Sequence, residues 1–391
     1  MNLESLSKEL KSKFDLENPR YLLDENIVCH TYDFKSDVSF QTDIEKELNG
    51  LNIDGAKLET GEKENQNFRF AVFAPVQNEN FSEAIIMLHG LNERSWCKYL
   101  PWAYQLANQT KKPVILFPIA YHINRSPNEW IYPRVMNKFS VFRKIEIPSV
   151  ENSTFLNAAI SMRVDNNPKL FVLSGIQTYF DIVKLASGIK AGEFDLFKKD
   201  CKIDFFGYSI GALLTQTLLI SNPLKLFSES KAFFFCGGST FDKIDGNSRS
   251  IMDSEAFSNL RNYLLYNKVS IKNMINLPNH NTRLFKKGWK AFLAMSGIEK
   301  YVVQRKNAFK HLIDRVKAVG LKKDCVISGF AIKETLQTNF KNKPKYFDVD
   351  ILDFQHTYSH EVPFPVINHK INDLVNKSFV LLFDKASRFL Q

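Results

Sequence analysis

One serine, Ser209, lies in a sequence context that predicts a nucleophile. Residues 207–211 have the sequence Gly-Tyr-Ser-Ile-Gly, with a mostly apolar run before them at 203–206 and a largely apolar run after them at 212–220. This G-x-S-x-G pattern is typical of a serine on a sharp turn between a buried strand and a helix. The glycines allow strand and helix to approach closely, and the start of the helix directs backbone N–H groups toward the serine oxygen.

A serine hydroxyl needs a base to accept its proton and a third group to orient that base. In a doubly wound sheet with such a turn, the chain order is serine, acid, histidine, so the base should follow the last strand. Two histidines, His356 and His360, follow the strand predicted over 346–354. We favour His360 because a Glu-Val-Pro-Phe run follows it, where the final helical region should begin. The side chain of His356, at the end of the strand, could point toward the serine or away from it.

The orienting carboxylate should follow the preceding strand, which we predict over 313–321. Asp324 fits best because it lies just past this strand and precedes an apolar pair and a helix predicted over 331–338. Other carboxylates remain open as alternatives: Glu334, Asp242 and Asp245. Together with Ser209 and a histidine, the acid would complete a triad for acyl transfer.

Two backbone N–H groups should stabilise the negative oxygen that forms during such a reaction. Ile210 directly follows the serine and is expected to supply the first. The second is expected from Leu91, because the apolar run 84–88 ends in His89-Gly90 and Gly90 lets the chain turn sharply there.

The elements that must position these residues are predicted from apolar and alternating runs. Further strands are expected at 26–34, 67–75, 84–90, 113–118, 202–206 and 232–238, and helices at 96–109, 170–189 and 371–390. The strand at 67–75 should be antiparallel, whereas the strand, helix and strand over 84–118 form a βαβ unit. Residues 36–66 are polar and predict an exposed connection.

Composition excludes several classes of protein. Of the 391 residues, 44% are hydrophobic, which is too many for a disordered chain. The net charge of +10 is spread along the chain without a nucleic-acid-binding motif, so no nucleic-acid partner is expected. The five cysteines are scattered, which argues against disulfides and a metal site. Without a visible signal peptide or transmembrane segment, we expect a cytoplasmic protein, and no cofactor.

The site residues resemble those of the α/β-hydrolase superfamily. They occur in the superfamily's order, at His89, Gly90, residues 207–211, Asp324 and His360. Within that superfamily, the stretches 89–96 and 358–364 resemble a group of uncharacterised bacterial hydrolase-like proteins. The resemblance implies an α/β-hydrolase fold, a mostly parallel doubly wound sheet with helical cap insertions.

The same resemblance predicts how the chain is divided into domains. It covers about residues 67–391 as one hydrolase domain, after an N-terminal extension with the first strand at 1–66. Two segments, at about 119–168 and 241–308, exceed a minimal hydrolase and are expected to cap the site. The first shows no clear helical period, and the second is mainly helical.

Esterase, lipase, thioesterase or peptidase chemistry on a small-molecule acyl substrate follows from this resemblance. The residues expected to contact that substrate are His89, Asn92, Arg94, Arg125 and Tyr208. Arg94 and Arg125 follow two sheet strands, where either could bind a substrate carboxylate through two hydrogen bonds. The alternative is a hydrolase-like scaffold that binds a ligand or partner without turnover, because a fold does not determine a function.

Overall fold

A nine-stranded sheet forms the centre of the structure. The structure is a computed structural model, and it describes residues 2–40, 52–53, 55–76, 80–266, 275–276, 281–337, 346–366 and 372–391. In chain order its strands are β1 (Arg20–Leu22), β2 (Ile27–Lys35), β3 (Asn67–Pro75), β4 (Phe81–Leu88), β5 (Val114–Leu116), β6 (Phe197–Tyr208), β7 (Ala232–Phe235), β8 (Val316–Leu321) and β9 (Asp348–Leu352). They lie side by side in the order β1-β2-β3-β5-β4-β6-β7-β8-β9. The six strands from β5 to β9 in this order are parallel, and β1, β2 and β3 continue the sheet through antiparallel pairs.

Helices cover both faces of this sheet. In the described part of the chain they are α1 (Leu3–Lys13), α2 (Glu62–Gln66), α3 (Leu100–Thr110), α4 (Pro133–Glu146), α5 (Ala158–Asn166), α6 (Lys169–Ala191), α7 (Ile210–Ser221), α8 (Ser254–Tyr266), α9 (Thr282–Ala294), α10 (Val302–Phe309), α11 (Gly329–Leu336) and α12 (Asn372–Leu390). The first face carries α1, α3 and α12, and the second carries α6 and α7. Within the described residues, no helix combines the length and the apolar character needed to cross a bilayer.

Alternate residues of the central strands enter two separate cores. Ile86 and Leu88 of β4 pack with α6 and α7, whereas Ile85 and Met87 pack with α1, α3 and α12. Because helices bury both faces, the central segments of these strands, such as 84–88 of β4 and 232–235 of β7, are apolar at every position, as the continuous runs in the sequence indicated.

Strand order and direction identify the fold. Ser209 lies directly after β6, at the carboxyl edge of the parallel strands, and α7 begins at the next residue. The predicted α/β-hydrolase fold, with a mostly parallel sheet between helices, is confirmed by this topology.

The N-terminal region, where the first strand was expected, contributes β1 and β2 to the same sheet. Strand β2 pairs with β3 over nine residues, from Ile27 opposite Pro75 to Lys35 opposite Asn67. The segment 36–66, expected to be an exposed connection, is partly exposed and partly buried in its described part. Ser36, Val38, Leu58 and Asn65 are all buried there. Of this segment, residues 41–51 and 54 lie outside the described ranges.

Both predicted insertions contain helices. The first holds α4 and α5, which were missed because their buried faces include polar residues such as Ser140 and Arg143 and so lack a clear apolar period. The second holds α8, α9 and α10, and its residues 267–274 and 277–280 fall outside the described ranges. Arg143 joins the two insertions, since its Nε lies 2.5 Å and its Nη2 2.8 Å from the carboxylate of Asp253.

Candidate active site

The turn that carries Ser209 has a strained backbone. Its φ of 56° and ψ of −120° lie outside the regions that residues with a side chain prefer. The turn is held because the Ser209 N–H donates to the Phe235 carbonyl at 3.1 Å. Gly211 is required beside it, since a Cβ there would lie 2.3 Å from the Leu88 carbonyl oxygen. Gly207 is required as well, because its Cβ would lie 2.8 Å from the Cα of Ala212.

Three side chains from three loops meet at this turn. His360 Nε2 lies 2.7 Å from Ser209 Oγ, and His360 Nδ1 lies 2.7 Å from Asp324 Oδ2. A carboxylate can only accept, so Nδ1 carries the hydrogen and Nε2 is free to accept the serine proton. All three residues are buried. This arrangement can activate the serine hydroxyl for attack on a carbonyl carbon.

The structure also shows where the alternative residues lie. His356 is buried against Phe354, and its Nδ1 hydrogen-bonds to the Thr357 carbonyl oxygen. Glu334 forms an ion pair with Lys243 at 2.6 Å. Neither contacts Ser209 or His360 among the hydrogen bonds of the described residues, and the same holds for Asp242 and Asp245.

Asp324 is oriented by the backbone that follows it. Its Oδ1 accepts hydrogen bonds from the N–H groups of Val326 and Ile327, each at 2.9 Å. This leaves Oδ2 for His360. The two carboxylate oxygens therefore have separate tasks, one in holding the loop and one in orienting the imidazole.

A fourth residue, Cys236, was missed by sequence reasoning. It follows β7, is fully buried, and places Sγ within 4.8 Å of ligand atoms of Asp324 and His360. Burial, followed by the charge of Asp324, raises the pKa of its thiol well above the usual range. A lone cysteine gives no signal in sequence, because only the fold brings it beside the acid.

The two expected oxyanion donors lie beside the serine. Leu91 and Ile210 line a small cavity of about 20 Å³ together with Ser209. In the described part of the chain, neither backbone N–H donates to another protein group. Ile210 is the first residue of α7, where a helix leaves its N–H groups without an internal acceptor.

Buried and half-buried side chains hold the loop that contains Leu91. The Gly90 N–H donates to Tyr99 Oη at 3.0 Å, and Tyr99 Oη donates to the Glu93 carboxylate at 2.7 Å. Lys98 pairs with Glu93 and donates to the Glu361 carbonyl at 3.1 Å. These contacts connect the loop after β4 with the loop that carries the histidine.

Tyr208 performs a similar positioning task, which corrects its expected contact with substrate. Its side chain is 1% exposed, and its hydroxyl donates to the backbone carbonyl of His360. Burial, the main cause, raises the pKa of Tyr208 well above its usual value, so the hydroxyl keeps the proton that it donates. Tyr208 thus holds the loop that carries His360 in place.

His89 is likewise a structural residue and not a substrate contact. It is fully buried, its Nε2 accepts from the Ile119 N–H at 2.9 Å, and its Nδ1 lies 2.8 Å from the Gly90 carbonyl. Burial, the main cause, lowers the pKa of this imidazole well below its usual value, so it is neutral and joins β4 to the loop after β5.

Asn92 and Arg94 bind backbone carbonyls of the insertions, Asn92 in both and Arg94 in the first. Asn92 Nδ2 donates to the carbonyls of Leu156 and Ser250 at 2.8 and 2.7 Å. Arg94 Nη2 donates to the carbonyls of Phe155 and Leu156 at 2.7 and 2.5 Å. These contacts give Asn92 Nδ2 and Arg94 Nη2 a role in holding the insertions, and the expected contact of either residue with substrate stays a prediction.

Arg125 does not reach the site, and its expected role as a substrate contact is wrong. Its side chain is 0% exposed and its Nη2 lies 2.8 Å from Asp181 Oδ2. The same guanidinium also donates to the carbonyls of Pro118 and Asn65. Arg125 therefore anchors the start of the first insertion to α6.

This buried pair predicts a large effect on stability. Replacing Asp181 with alanine leaves the Arg125 charge buried without its carboxylate, which we expect to cost about 3–5 kcal/mol of unfolding free energy. The pair of Lys184 with Asp37, at 2.6 Å, is a matched control with both side chains exposed. Asp37→Ala should cost at most about 1 kcal/mol. Urea unfolding measures both, and equal losses would contradict the assignment.

Solved structures similar to this chain include several hydrolases. One is an S-formylglutathione hydrolase from Agrobacterium tumefaciens, with a TM-score of 0.45 and 11% identity, covering 95% of this chain and 98% of that chain. Another is carboxyl esterase 2 from Tuber melanosporum, with a TM-score of 0.44 and 10% identity over 99% and 98% of the two chains. A third is a cold-adapted esterase from an Arctic intertidal metagenomic library, with a TM-score of 0.40 and 8% identity over 97% and 100%.

Comparison by sequence places the chain in a family. No curated protein matches it in sequence. The family of unknown function DUF6051 matches it over residues 1–391. With the whole chain matched, this protein is a member of DUF6051.

Proposed function

We propose that the protein is a serine hydrolase that cleaves an ester or a related acyl bond of a small molecule. The observation that carries this proposal is the pair of 2.7 Å contacts that joins Ser209 Oγ through His360 to Asp324. The strained turn and the free N–H groups beside the serine support it further. Ser209 is the nucleophile, His360 the general base and acid, and Asp324 the residue that orients the imidazole.

Acylation begins with attack of Ser209 Oγ on the substrate carbonyl carbon. His360 Nε2 takes the hydroxyl proton as the carbon–oxygen bond forms, and Asp324 stabilises the imidazolium. The carbonyl oxygen becomes negatively charged and receives hydrogen bonds from the N–H groups of Leu91 and Ile210. Each such donor is typically worth about 10²–10³ in rate. The tetrahedral intermediate collapses, and His360 gives its proton to the departing oxygen.

Deacylation repeats these steps with water. His360 Nε2 removes a proton from a water molecule as its oxygen attacks the acyl carbon on Ser209. The intermediate again places its negative oxygen at the N–H groups of Leu91 and Ile210. Its collapse releases the acid and returns the proton to Ser209, so the protein emerges unchanged.

The test is turnover of simple activated esters. The purified protein should release p-nitrophenolate from p-nitrophenyl butyrate, and the Ser209→Ala protein should not. A binding scaffold without turnover predicts instead that the wild-type protein matches the rate of buffer on every ester. That outcome, obtained with folded protein, would remove the hydrolase proposal.

A further inference from the structure

A second cavity, larger and almost wholly apolar, lies next to the candidate site. It has a volume of about 90 Å³ and is enclosed by α6, α7 and α9. Leu91 and Ile210 line both this cavity and the small one at Ser209. The larger cavity therefore begins at the residues that we assign to the oxyanion.

The hydroxyl groups in its wall are occupied within the protein, whereas His122 Nε2 has no hydrogen-bond partner among the described residues. Tyr179 Oη donates to Ser221 Oγ at 3.1 Å, and Thr217 Oγ1 donates to the Leu213 carbonyl at 3.0 Å. Ser174 Oγ donates to the carbonyl one turn before it in α6. His122 hydrogen-bonds through Nδ1 to a backbone carbonyl, and burial lowers its pKa to about 4, so it is uncharged at neutral pH. Such a wall favours a ligand without charge.

The chemistry of the triad decides which part of a substrate enters each cavity. The leaving oxygen must lie at His360 Nε2, because that atom returns its proton. The small cavity contains Ser209 together with Val326 and Ile327, which follow Asp324. The larger cavity is lined by no residue of the acid loop or the histidine loop in the described part of the chain. The leaving group thus fits the small cavity, and the acyl chain points away from it.

We propose that the 90 Å³ cavity binds an uncharged aliphatic acyl chain and that α9 sets its length; the assignment rests on the proposed hydrolase function. Helix α9 presents Phe285, Trp289 and Phe292 to the cavity. Its Gly288 lies so close to Tyr179 that a Cβ would lie 2.9 Å from the ring, so the helix is packed tightly against α6. The substrate class is then a medium-chain acyl ester or thioester, not an acetyl or dicarboxylic ester.

A chain-length series tests the proposal. We expect kcat/KM for p-nitrophenyl esters to rise by about fourfold per methylene that becomes buried, from acetate through butyrate to octanoate. The monoester of a dicarboxylic acid of similar length should be hydrolysed at least tenfold more slowly than octanoate. A flat profile with Ser209-dependent acetate hydrolysis would overturn the acyl cavity and leave the hydrolase proposal intact.

Two variants test where the acyl chain of the substrate binds. Leu214→Trp fills the cavity from α7, and it should lower the octanoate-to-acetate ratio of kcat/KM at least tenfold. Phe285→Ala lengthens the cavity and should move the optimum to longer chains. The same bulky substitution at Val303, which is 70% exposed on α10, is the control and should leave the ratio unchanged. An unchanged ratio in both cavity variants would contradict the assignment.

Binding provides a readout that needs no turnover. In the Ser209→Ala protein, 8-bromooctanoate should quench tryptophan fluorescence in a saturable manner, and most of that quenching should disappear in the additional Trp289→Phe variant. If no ester is hydrolysed but this quenching is present, the hydrolase proposal fails and the apolar binding cavity stands. If quenching is absent or independent of Trp289, the cavity assignment fails whatever the hydrolytic result.

Discussion

Alanine in place of Ser209 is expected to lower kcat for p-nitrophenyl butyrate by about 10⁵–10⁶-fold. Removal of the nucleophile eliminates the covalent route, and only binding and the oxyanion donors continue to assist direct attack by water. Stability should change by no more than about 1 kcal/mol, since in the described part of the chain the Ser209 side chain makes its one hydrogen bond to His360, and alanine experiences the same positive φ. Steady-state kinetics and urea unfolding of the same preparations measure both quantities.

A second buried serine provides the control for nonspecific effects of a serine-to-alanine substitution. Ser126 is also buried, and its hydroxyl donates to the Ile123 carbonyl at 2.8 Å, outside the triad. Ser126→Ala should leave kcat within about twofold of the wild type. A Ser209→Ala protein that retains a tenth of the wild-type kcat would contradict the assignment of the nucleophile.

The second large effect is expected from asparagine in place of Asp324. This substitution should lower kcat by about 10⁴-fold with little change in KM. The amide oxygen should remain with the N–H groups of Val326 and Ile327, which hold Oδ1 in the native loop. The amide NH₂ then faces His360 Nδ1 and requires an unprotonated nitrogen there. The hydrogen moves to Nε2, which can no longer accept the proton of Ser209.

The exposed aspartate at the sheet edge is the corresponding control. Asp353 forms an ion pair with Lys322 at 3.2 Å and does not touch His360. Asp353→Asn should leave kcat within about twofold. If Asp324→Asn loses less than tenfold in kcat while the loop remains folded, the carboxylate does not orient the imidazole, and the triad assignment would need a different acid.

Local sequence predicted the parts of the site that depend on local structure. The turn at Ser209 follows from glycines at fixed positions between an apolar strand and a helix, and those glycines meet Leu88 and Ala212 at distances that exclude a Cβ. The central strands could be predicted too, because burial on both faces produces uninterrupted apolar runs. The sheet then follows from the rules for parallel βαβ connections.

Residues whose role depends on distant contacts could not be assigned in this way. His356 and His360 differ by only four positions, and their distance to Ser209 is set by how the loop after β9 lies on Tyr208. Arg125 resembles a site residue in sequence, since it follows a sheet strand, but its partner Asp181 comes from α6 and takes it out of the site. Cys236 reaches Asp324 through tertiary structure alone.

The most direct test of the account is covalent labelling by a fluorophosphonate, located by mass spectrometry of the digested protein. We expect one phosphonyl group per molecule, attached to Ser209, and no adduct in the Ser209→Ala protein. We also expect that His360→Ala slows the labelling by several orders of magnitude, because the serine then lacks its base. A folded wild-type protein that stays unlabelled, or one labelled at another residue with Ser209 unmodified, would contradict the central claim.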